Sequence, residues 1–224
     1  MRLSVIIPTL DALTELIATL AALGERLSDD EIIIADGGSA DGTAAVAGAA
    51  GACVVIAPRG RGNQLAAGAA VARGEWLLFL HADCRPAAGW RDAVAAFAAS
   101  LGAVGCAGYF RLALDDANPA ARRLERIVAW RCQAFALPYG DQGLLISRQL
   151  YDAVGGFAAI PLMEDVDFVR RLGRRRLMPI AATICASARR YRRDGYLRRP
   201  LRNLACLSLY FAGLSPARIA RFYG

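Results

Sequence analysis

Apolar residues in the first hundred positions alternate between short continuous runs and segments with helical spacing. The continuous runs predict four strands, at residues 3–7, 31–35, 53–57 and 76–80. Between the first two runs, apolar residues recur every three to four positions, which predicts a helix: Leu13, Leu16, Ile17, Leu20 and Leu23. Continuously apolar strands that are separated by single helices indicate a parallel sheet covered by helices on both faces.

Turn residues set the expected ends of these elements. We expect Pro8 to end the first strand, and Ser39 or Asp41 to cap the alanine-rich helix after the second strand. A glycine- and arginine-rich turn at residues 59–62 follows the third strand and leads into a helix predicted to run through residue 71.

Beyond residue 100 the pattern is mixed. It predicts an extended strand at residues 103–114, a helix at 120–136 and a short strand at 144–147. Residues 161–176 hold an acidic turn and a short basic helix, and the chain is expected to be helical from about residue 199. No internal repeat or second domain boundary is evident in the sequence.

Polar side chains lie at the expected strand exits. Asp36 follows the second strand, Arg59 the third, and His81 and Asp83 the fourth. Ligands of open parallel sheets bind beyond the carboxyl ends of the strands. We therefore expect these four side chains to face a common ligand site.

The composition is that of a folded globular protein, and it excludes several kinds of chemistry. Of the 224 residues, 56% are hydrophobic, 27 are arginine and none is lysine. The lack of lysine excludes a Walker A loop, a Schiff-base lysine and a Ser-Lys hydrolase. The lone His81 excludes a histidine-rich zinc site. The net charge is +7, and the arginines crowd residues 170–176 and 189–202, which suits an acidic partner such as phosphate, lipid headgroup or nucleic acid.

The cysteine pattern and the apolar runs predict a cytoplasmic location. The six cysteines are scattered without a CxxC pair, which is typical of reduced thiols rather than of a disulfide framework. Asp11 and Glu15 interrupt the first apolar segment, so it does not have the pattern of a signal peptide. The run Leu204–Leu214 is too short to span a bilayer.

Five sequence strings together resemble the family 2 glycosyltransferases, whose nucleotide-binding half has the GT-A fold. The strings are Ser4–Leu10, Asp36–Thr43, Leu78–Asp83, Pro138–Gly143 and Leu162–Asp165. The likeness is strongest to short bacterial members that are described as radical-SAM/selenodomain-associated. It implies one α/β domain with a mostly parallel sheet, in which residues 1–100 bind a nucleotide sugar, 101–198 form the acceptor side and 199–224 are helical.

The resemblance implies a donor site in the first half of the chain. It places Asp36 against the base or ribose, and two arginines among glycines before a helix suit a diphosphate, although an exposed basic loop is the alternative. The donor-binding residues implied are Pro8, Thr9, Asp11, Asp36, Gly38, Ser39, Arg59, Arg61, Gln64, His81 and Asp83.

A divalent cation is also implied at the fourth strand exit. Family members usually carry Asp-x-Asp where this chain has His81-Ala82-Asp83, so Asp83 and His81 are the expected metal ligands. Carboxylate oxygen suits Mg²⁺ or Mn²⁺, and an imidazole shifts the preference toward Mn²⁺ or softer ions.

The family pattern assigns the chemistry to the late acidic pair. Asp165 is the implied general base for the acceptor hydroxyl, with Glu164 as a helper that positions the acceptor. Acidic residues also favour the first turn of a helix through its dipole, and both roles are compatible. Asp141 and Gln142 are expected on the acceptor side.

The C-terminal segment leaves two interpretations open. Longer processive relatives carry Gln-x-x-Arg-Trp where this chain has residues 189–192, and the glutamine and tryptophan are absent here, which favours transfer of a single sugar. The arginines and leucines of residues 189–210 form either a basic amphipathic face for an anionic membrane or a helix packed on the domain. A homodimer is also compatible with the sequence.

With this resemblance, the sequence predicts a hexosyltransferase that moves one sugar from a nucleoside-diphosphate sugar to an acceptor hydroxyl. Inversion at the anomeric carbon is implied by the resemblance alone. A sugar nucleotidyltransferase is the alternative enzyme, but its usual glycine-rich arginine/lysine signature near the N-terminus is absent. A non-catalytic basic module for lipid or nucleic acid is the third interpretation. Retention of the acidic residues at 36, 83, 164 and 165 speaks against that module.

Overall fold

The computed structural model describes residues 1–24 and 30–223. Eight strands occur in this part of the chain: β1 Leu3–Thr9, β2 Glu31–Asp36, β3 Cys53–Ile56, β4 Trp76–Phe79, β5 Cys84–Pro86, β6 Ala107–Leu114, β7 Leu144–Ser147 and β8 Leu177–Ala186. The α-helices described are α1 Leu13–Leu23, α2 Thr43–Ala49, α3 Arg61–Val71, α4 Trp90–Ala99, α5 Pro119–Phe135, α6 Arg148–Val154, α7 Glu164–Leu172, α8 Arg189–Asp194, α9 Arg198–Phe211 and α10 Pro216–Tyr223.

The strands form one sheet in the order β3-β2-β1-β4-β7-β6-β8-β5. Pairings within β3-β2-β1-β4 are all parallel, and β6 pairs with β8 in parallel as well. The antiparallel pairs are β4 with β7, β6 with β7, and β5 with β8. The mostly parallel sheet expected from the sequence is therefore confirmed.

Both faces of the sheet are buried, which is why its first strands are apolar at consecutive positions. In β1, Leu3, Val5 and Ile7 belong to one core cluster and Ile6 to another. The first cluster includes residues of α1, α2, α4 and α5, and the second includes residues of α3, α6 and α7. Helices thus cover both faces, as expected.

The C-terminal helices pack at the edge of this core. A third cluster joins Leu162, Met163 and Val166, around the start of α7, to Cys206 of α9 and Ile219 of α10. The helices α9 and α10 confirm the helical prediction for the end of the chain. Their contact with the start of α7 fixes α9 beside that helix. Within residues 1–24 and 30–223, none of the helices combines the length and apolar character that crossing a bilayer requires.

Two local predictions are wrong. Pro8 does not end β1, since it lies within the strand and pairs with Ala35 of β2. The pairing of β1 with β4 stops at Ile6, so the missing N–H of the proline does not interrupt that ladder. Neither Ser39 nor Asp41 is the N-cap of α2, since Gly42 holds that position in a left-handed conformation. Asp41 instead accepts a hydrogen bond from the backbone N–H of Thr43 at 3.0 Å.

Candidate active site

The exits of β1, β3 and β4 open onto a groove of about 550 Å³. Eight of the expected donor residues line it: Pro8, Thr9, Asp11, Arg59, Arg61, Gln64, His81 and Asp83. The other three, Asp36, Gly38 and Ser39, are not among its lining residues. The side chains expected at a common ligand site thus lie at one edge of the sheet, with Asp36 set behind the groove.

Asp36 is the anchor of the groove wall. It is 1% exposed, and its Oδ1 accepts hydrogen bonds from the hydroxyls of Thr9 and Ser39, at 2.8 and 2.5 Å. Its Oδ2 accepts from the backbone N–H groups of Gly38 and Ser39, at 3.0 and 2.8 Å. Burial alone would raise the pKa of Asp36, but these hydrogen bonds outweigh it and leave the pKa lowered. The carboxylate is thereby committed to the turn at residues 37–39.

Gln64 ties helix α3 to the same turn. Its Nε2 donates to the carbonyl oxygens of Thr9 at 2.5 Å and Ala35 at 3.0 Å, at the ends of β1 and β2. A buried amide that satisfies two strand-end carbonyls fixes the first turn of α3 against the sheet. This contact places the neighbouring Arg61 at the groove.

Among the described residues, His81, Asp83 and Cys84 form a candidate metal-ligand cluster. Their ligand atoms lie within 4.8 Å of one another. Burial, reinforced by the Arg61 charge, lowers the pKa of His81 to about 4, so the imidazole is neutral at pH 7, the form that binds metal. Burial raises the pKa of the Cys84 thiol well above its usual range, which disfavours the thiolate ligand. The set fits a cation held by the imidazole and the Asp83 carboxylate.

A second cavity, of about 120 Å³, joins the groove at this cluster. The two cavities share five lining residues: Arg61, His81, Asp83, Ser187 and Arg190. Asp141 and Asp165 line the second cavity and not the groove. A molecule in the groove and one in the second cavity would therefore meet beside His81 and Asp83.

Asp165 is held against the turn at residues 139–143. Its Oδ2 accepts the backbone N–H of Gly140 at 2.9 Å, and its Oδ1 accepts that of Val166 at 2.8 Å. A side chain at Gly140 would place Cβ 2.4 Å from His81 Nε2, so this position requires glycine. The close packing brings the base candidate and the metal-ligand candidate together.

Asp141 carries an unsatisfied atom beside the cavity. Its Oδ1 is buried and has no hydrogen-bond partner. Burial raises the pKa of Asp141 to about 6. The positive charge of Arg131 opposes this rise, and the negative charges of Asp165 and Asp83 add to it. A buried carboxylate oxygen without a partner, close to other carboxylates, is suited to bind a cation or to accept a hydrogen bond from a ligand hydroxyl.

Gln142 is placed differently from its neighbour. It is 2% exposed, its Oε1 accepts from Arg131 Nη2 at 3.0 Å, and its Nε2 donates to the carbonyl of Phe110 at 3.2 Å. It lines neither cavity. Its contacts hold the turn from behind, so Asp141 is the member of this pair that reaches the cavity.

Glu164 lies behind the junction of the cavities rather than on it. The residue is fully buried and lines neither the groove nor the second cavity. Arg61 Nε lies 2.9 Å from Glu164 Oε1, an ion pair without hydrogen-bond alignment. Burial raises the pKa of Glu164 to about 7 although Arg61 opposes the shift. The position holds the Arg61 guanidinium at the place where the two cavities meet.

The backbone before this pair is strained. Met163 has φ of 65°, a left-handed conformation that is uncommon for a residue with a long side chain. It turns the chain into α7, so that Glu164 and Asp165 form the first residues of the helix. Strain of this kind clusters at functional sites.

Several residues of the site were not expected from the sequence. The strand β8 and helix α8 bring Ser187 and Arg190 to the junction, and α9 brings Arg199 and Asn203 to the second cavity. The arginine-rich composition of this segment indicated an acidic partner, but not its position. Their position was not predicted because the strand β8, which leads the chain back to the site, was not recognised in the sequence.

Comparisons with known proteins identify the family and the fold of this chain. A family model described as "Glycosyl transferase family 2" matches residues 4–162, more than two thirds of the chain. The chain belongs to glycosyl transferase family 2. The Glu164-Asp165 pair lies just beyond the matched residues of this family 2 member. A comparison with curated proteins found no match.

Solved structures of other glycosyltransferases share the fold. Glucosyl-3-phosphoglycerate synthase from Mycobacterium tuberculosis, in complex with Mn²⁺, UDP and glucosyl-3-phosphoglycerate, matches with a TM-score of 0.56 and 19% identity, over 83% of this chain and 70% of that one. S. aureus TarS 1-349 in complex with UDP matches with a TM-score of 0.65 and 18% identity, over 84% and 60%. The TarS 1-349 complex with UDP-GlcNAc has a TM-score of 0.62 and 17% identity, over 84% and 58%.

The family, the GT-A fold and the classification of the chain as a glycosyltransferase are thereby confirmed. The likeness to the radical-SAM/selenodomain-associated members stays a prediction. At these identities the structural matches establish the fold alone.

Proposed function

We propose that this family 2 glycosyltransferase binds a nucleoside-diphosphate sugar in the groove and transfers its sugar to a hydroxyl in the second cavity, with inversion at the anomeric carbon. The observation that carries the proposal is the junction of the two cavities. His81 and Asp83 lie on both cavities, and Asp165 lies on the second cavity but not on the groove. Donor and acceptor would therefore meet between a phosphate-binding wall and a carboxylate.

The groove supplies what a sugar nucleotide requires. Arg59 and Arg61 can form charge-assisted hydrogen bonds to the diphosphate. The relatives were solved with UDP, UDP-GlcNAc or Mn²⁺, which supports a nucleotide donor and a divalent cation here. His81 and Asp83 would hold that cation, whose chemistry is to neutralise the charge of the departing nucleoside diphosphate.

Asp165 is the proposed general base. Its two oxygens are oriented by the N–H groups of Gly140 and Val166, and the residue remains accessible from the second cavity. A base needs to lie within hydrogen-bond reach of the hydroxyl that it deprotonates, and a hydroxyl in this cavity meets that requirement. Attack from the cavity on a sugar whose phosphate lies in the groove gives inversion.

Glu164 is better assigned to the donor side than to the acceptor. It is fully buried and pairs with Arg61, so it cannot touch an acceptor hydroxyl without rearrangement. Its proposed role is to orient Arg61 toward the diphosphate. The division into donor residues 1–100, acceptor residues 101–198 and a helical end at 199–224 is kept as a proposal, with α9 added to the acceptor side.

We also propose a peripheral contact between α9 and an anionic membrane. One side of α9 packs on α7 through Cys206, whereas Leu201 and Leu204 on another side are 54% and 56% exposed. Arg198, three residues before Leu201 on the same helix, is an exposed arginine beside this face. Apolar side chains bordered by arginine suit an interface with acidic headgroups.

Cosedimentation with vesicles tests the membrane contact. We expect binding to anionic but not to zwitterionic vesicles, with release by salt, because the attraction is screened over about 8 Å at physiological ionic strength. Leu201→Asp and Leu204→Asp should weaken binding. Leu101→Asp is the matched control, since Leu101 is fully exposed and precedes β6, away from the strand exits. Equal vesicle binding by all variants would show that α9 does not contact the membrane.

The proposed activity itself is tested by nucleotide-sugar binding. A sugar nucleotide that occupies the groove should raise the unfolding temperature, since a ligand that binds only the native state stabilises it. Failure of every sugar nucleotide to bind would contradict the proposal.

A further inference from the structure

The positive charge of the protein is concentrated in its C-terminal segment. Residues 189–224 contain nine arginines and one aspartate, a net charge of +8, whereas the whole chain has a net charge of +7. The first 188 residues are therefore close to neutral. The excess charge belongs to the segment that closes the second cavity.

Asp194, the one acidic residue of this segment, is shared by three arginines. Its carboxylate accepts from Arg193 Nε at 2.7 Å, Arg199 Nη1 at 2.8 Å and Arg202 Nη2 at 3.2 Å. The hydrogen bond from Arg193, with further help from Arg199, lowers the pKa of Asp194 to about 2. One carboxylate for three guanidinium groups leaves the cluster with an excess of positive charge.

Part of this cluster faces the second cavity. Arg199 is 7% exposed and lines the cavity together with Asn203, whose Oδ1 is buried without a hydrogen-bond partner. Arg190 lines the cavity from α8, and among the described residues it has no hydrogen-bond or ion-pair partner. Two cations and an unsatisfied amide therefore converge on one wall.

We infer that the acceptor carries an anionic group, a phosphate or a carboxylate, which binds to Arg190, Arg199 and Asn203. The inference rests on the proposed glycosyl transfer and identifies the class of acceptor. Arg199 shares the single carboxylate of Asp194 with two other guanidinium groups, and Arg190 is exposed on the same wall, so the wall keeps an excess of positive charge. Guanidinium groups bind phosphate and carboxylate through charge-assisted hydrogen bonds. The Asn203 amide can donate to the same anion or accept a hydroxyl of the same molecule.

The donor diphosphate could account for Arg190, which lines both cavities, but not for the rest of this wall. Arg199 and Asn203 line the second cavity and not the groove, which has Arg59, Arg189 and Arg193 of its own. Asp141 and Asp165 lie on the same cavity as the cationic wall. The cavity is thus bipolar, and an acceptor that directs its anion to Arg199 can present a hydroxyl to Asp165.

Matched acceptors test the inference. With any nucleotide sugar that the enzyme turns over, glycerol 3-phosphate should be used with a kcat/KM at least about tenfold above that of glycerol, since hydrogen bonds to charged groups are the strong ones. Phosphatidylglycerol against diacylglycerol, both in detergent micelles, repeats the comparison for a lipid-borne group. A preference for glycerol 3-phosphate over glycerol would identify the acceptor as a soluble phosphate ester. A preference for phosphatidylglycerol over diacylglycerol would identify it as a lipid with an anionic headgroup. Equal use within both pairs would overturn the inference.

Variants separate this wall from the donor site. Asn203→Leu and Arg199→Gln should reduce the preference for the phosphorylated acceptor by about tenfold and leave the KM of the donor unchanged, because neither residue lines the groove. Arg123→Gln is the control, because Arg123 is an exposed arginine of α5 that lines neither cavity. Asn203→Leu keeps the Asp194 cluster intact, so it remains informative if Arg199→Gln does not fold.

Binding of inorganic phosphate to the protein without donor gives a readout that is independent of turnover. Calorimetry should detect weaker phosphate binding to Asn203→Leu than to the native protein and to Arg123→Gln. Equal phosphate binding by all three proteins would overturn the anionic subsite even if sugar transfer occurs. Loss of phosphate binding in Asn203→Leu, in a protein that turns over no nucleotide sugar, would support the subsite and contradict the proposed function instead.

Discussion

Asp165→Asn should lower the turnover number by at least about 10²-fold and leave donor binding nearly unchanged. General-base catalysis typically contributes about 10²–10⁴-fold, and an amide cannot take the proton of the acceptor hydroxyl. The substitution keeps the size of the side chain, and its oxygen can still accept the N–H of Gly140 or Val166. Asp165 lines the second cavity and not the groove, so the diphosphate end of the site is untouched.

The measurement is turnover of donor, with donor affinity determined separately for each variant. Asp167→Asn is the matched control on the same helix, because Asp167 pairs with Arg171 and lines neither cavity. Glu164→Gln should act chiefly on donor affinity, through Arg61. Near-native turnover of Asp165→Asn, together with loss of turnover in Glu164→Gln, would identify Glu164 as the base. If neither variant matters, the mechanism proposed for this site is wrong.

Asp83→Ala should abolish the dependence of donor binding on a divalent cation. Asp83 is the carboxylate of the cluster at the junction of the cavities, and it lies on both of them. Without its oxygen, His81 and the protonated Cys84 thiol remain, and neither supplies the charged oxygen ligand that Mg²⁺ or Mn²⁺ prefers.

Binding of Mn²⁺ alone, followed by calorimetry, gives a readout besides activity. His81→Asp is the informative partner variant, because it creates the Asp-x-Asp pattern usual in the family. We expect it to retain cation binding and to shift the preference from Mn²⁺ toward Mg²⁺. Native Mn²⁺ affinity in Asp83→Ala would show that the cation, if one binds, is held elsewhere.

The first half of the fold could be predicted because its strands are buried on both faces. The apolar run around Ile6 and the helical spacing of Leu16 and Leu20 record burial directly, and both elements occur where they were expected. The position of the polar residues followed from the same reasoning, since parallel strands end at one edge of the sheet. Arg59, His81 and Asp83 line the groove as this reasoning predicts, whereas Asp36 does not. The other donor residues were implied by the family resemblance.

The second half escaped prediction where burial is uneven along a strand. In β8, Met178 and Pro179 are exposed whereas Ile180 and Ile184 are buried, so the run lacks a clear period. Pro179 lies inside the run, and a proline is unusual within a paired strand. The structure accommodates it where the pairing of β8 with β6 shifts register, between Tyr109 and Arg111. Without β8, the return of Arg190 to the site could not be foreseen.

Hydrogen-bond partners also lie beyond sequence patterns. Asp36 was expected against the nucleoside, yet its oxygens accept hydrogen bonds from Thr9, Gly38 and Ser39. The ion pair between Arg61 and Glu164 joins two distant parts of the chain. A residue type and its position at a strand exit indicate what a side chain can bind, but its neighbours decide whether it is already occupied.

Binding of sugar nucleotides to the native protein tests the central claim most directly. The unfolding temperature should be measured with UDP-, GDP- and dTDP-sugars, each with and without Mn²⁺. At a hundredfold excess over Kd, binding to the native state stabilises a protein by about 2.7 kcal/mol. We expect at least one of these donors to raise the unfolding temperature, and more so with Mn²⁺. An unfolding temperature that no sugar nucleotide changes, with or without the metal, would contradict the assignment of the groove as a donor site.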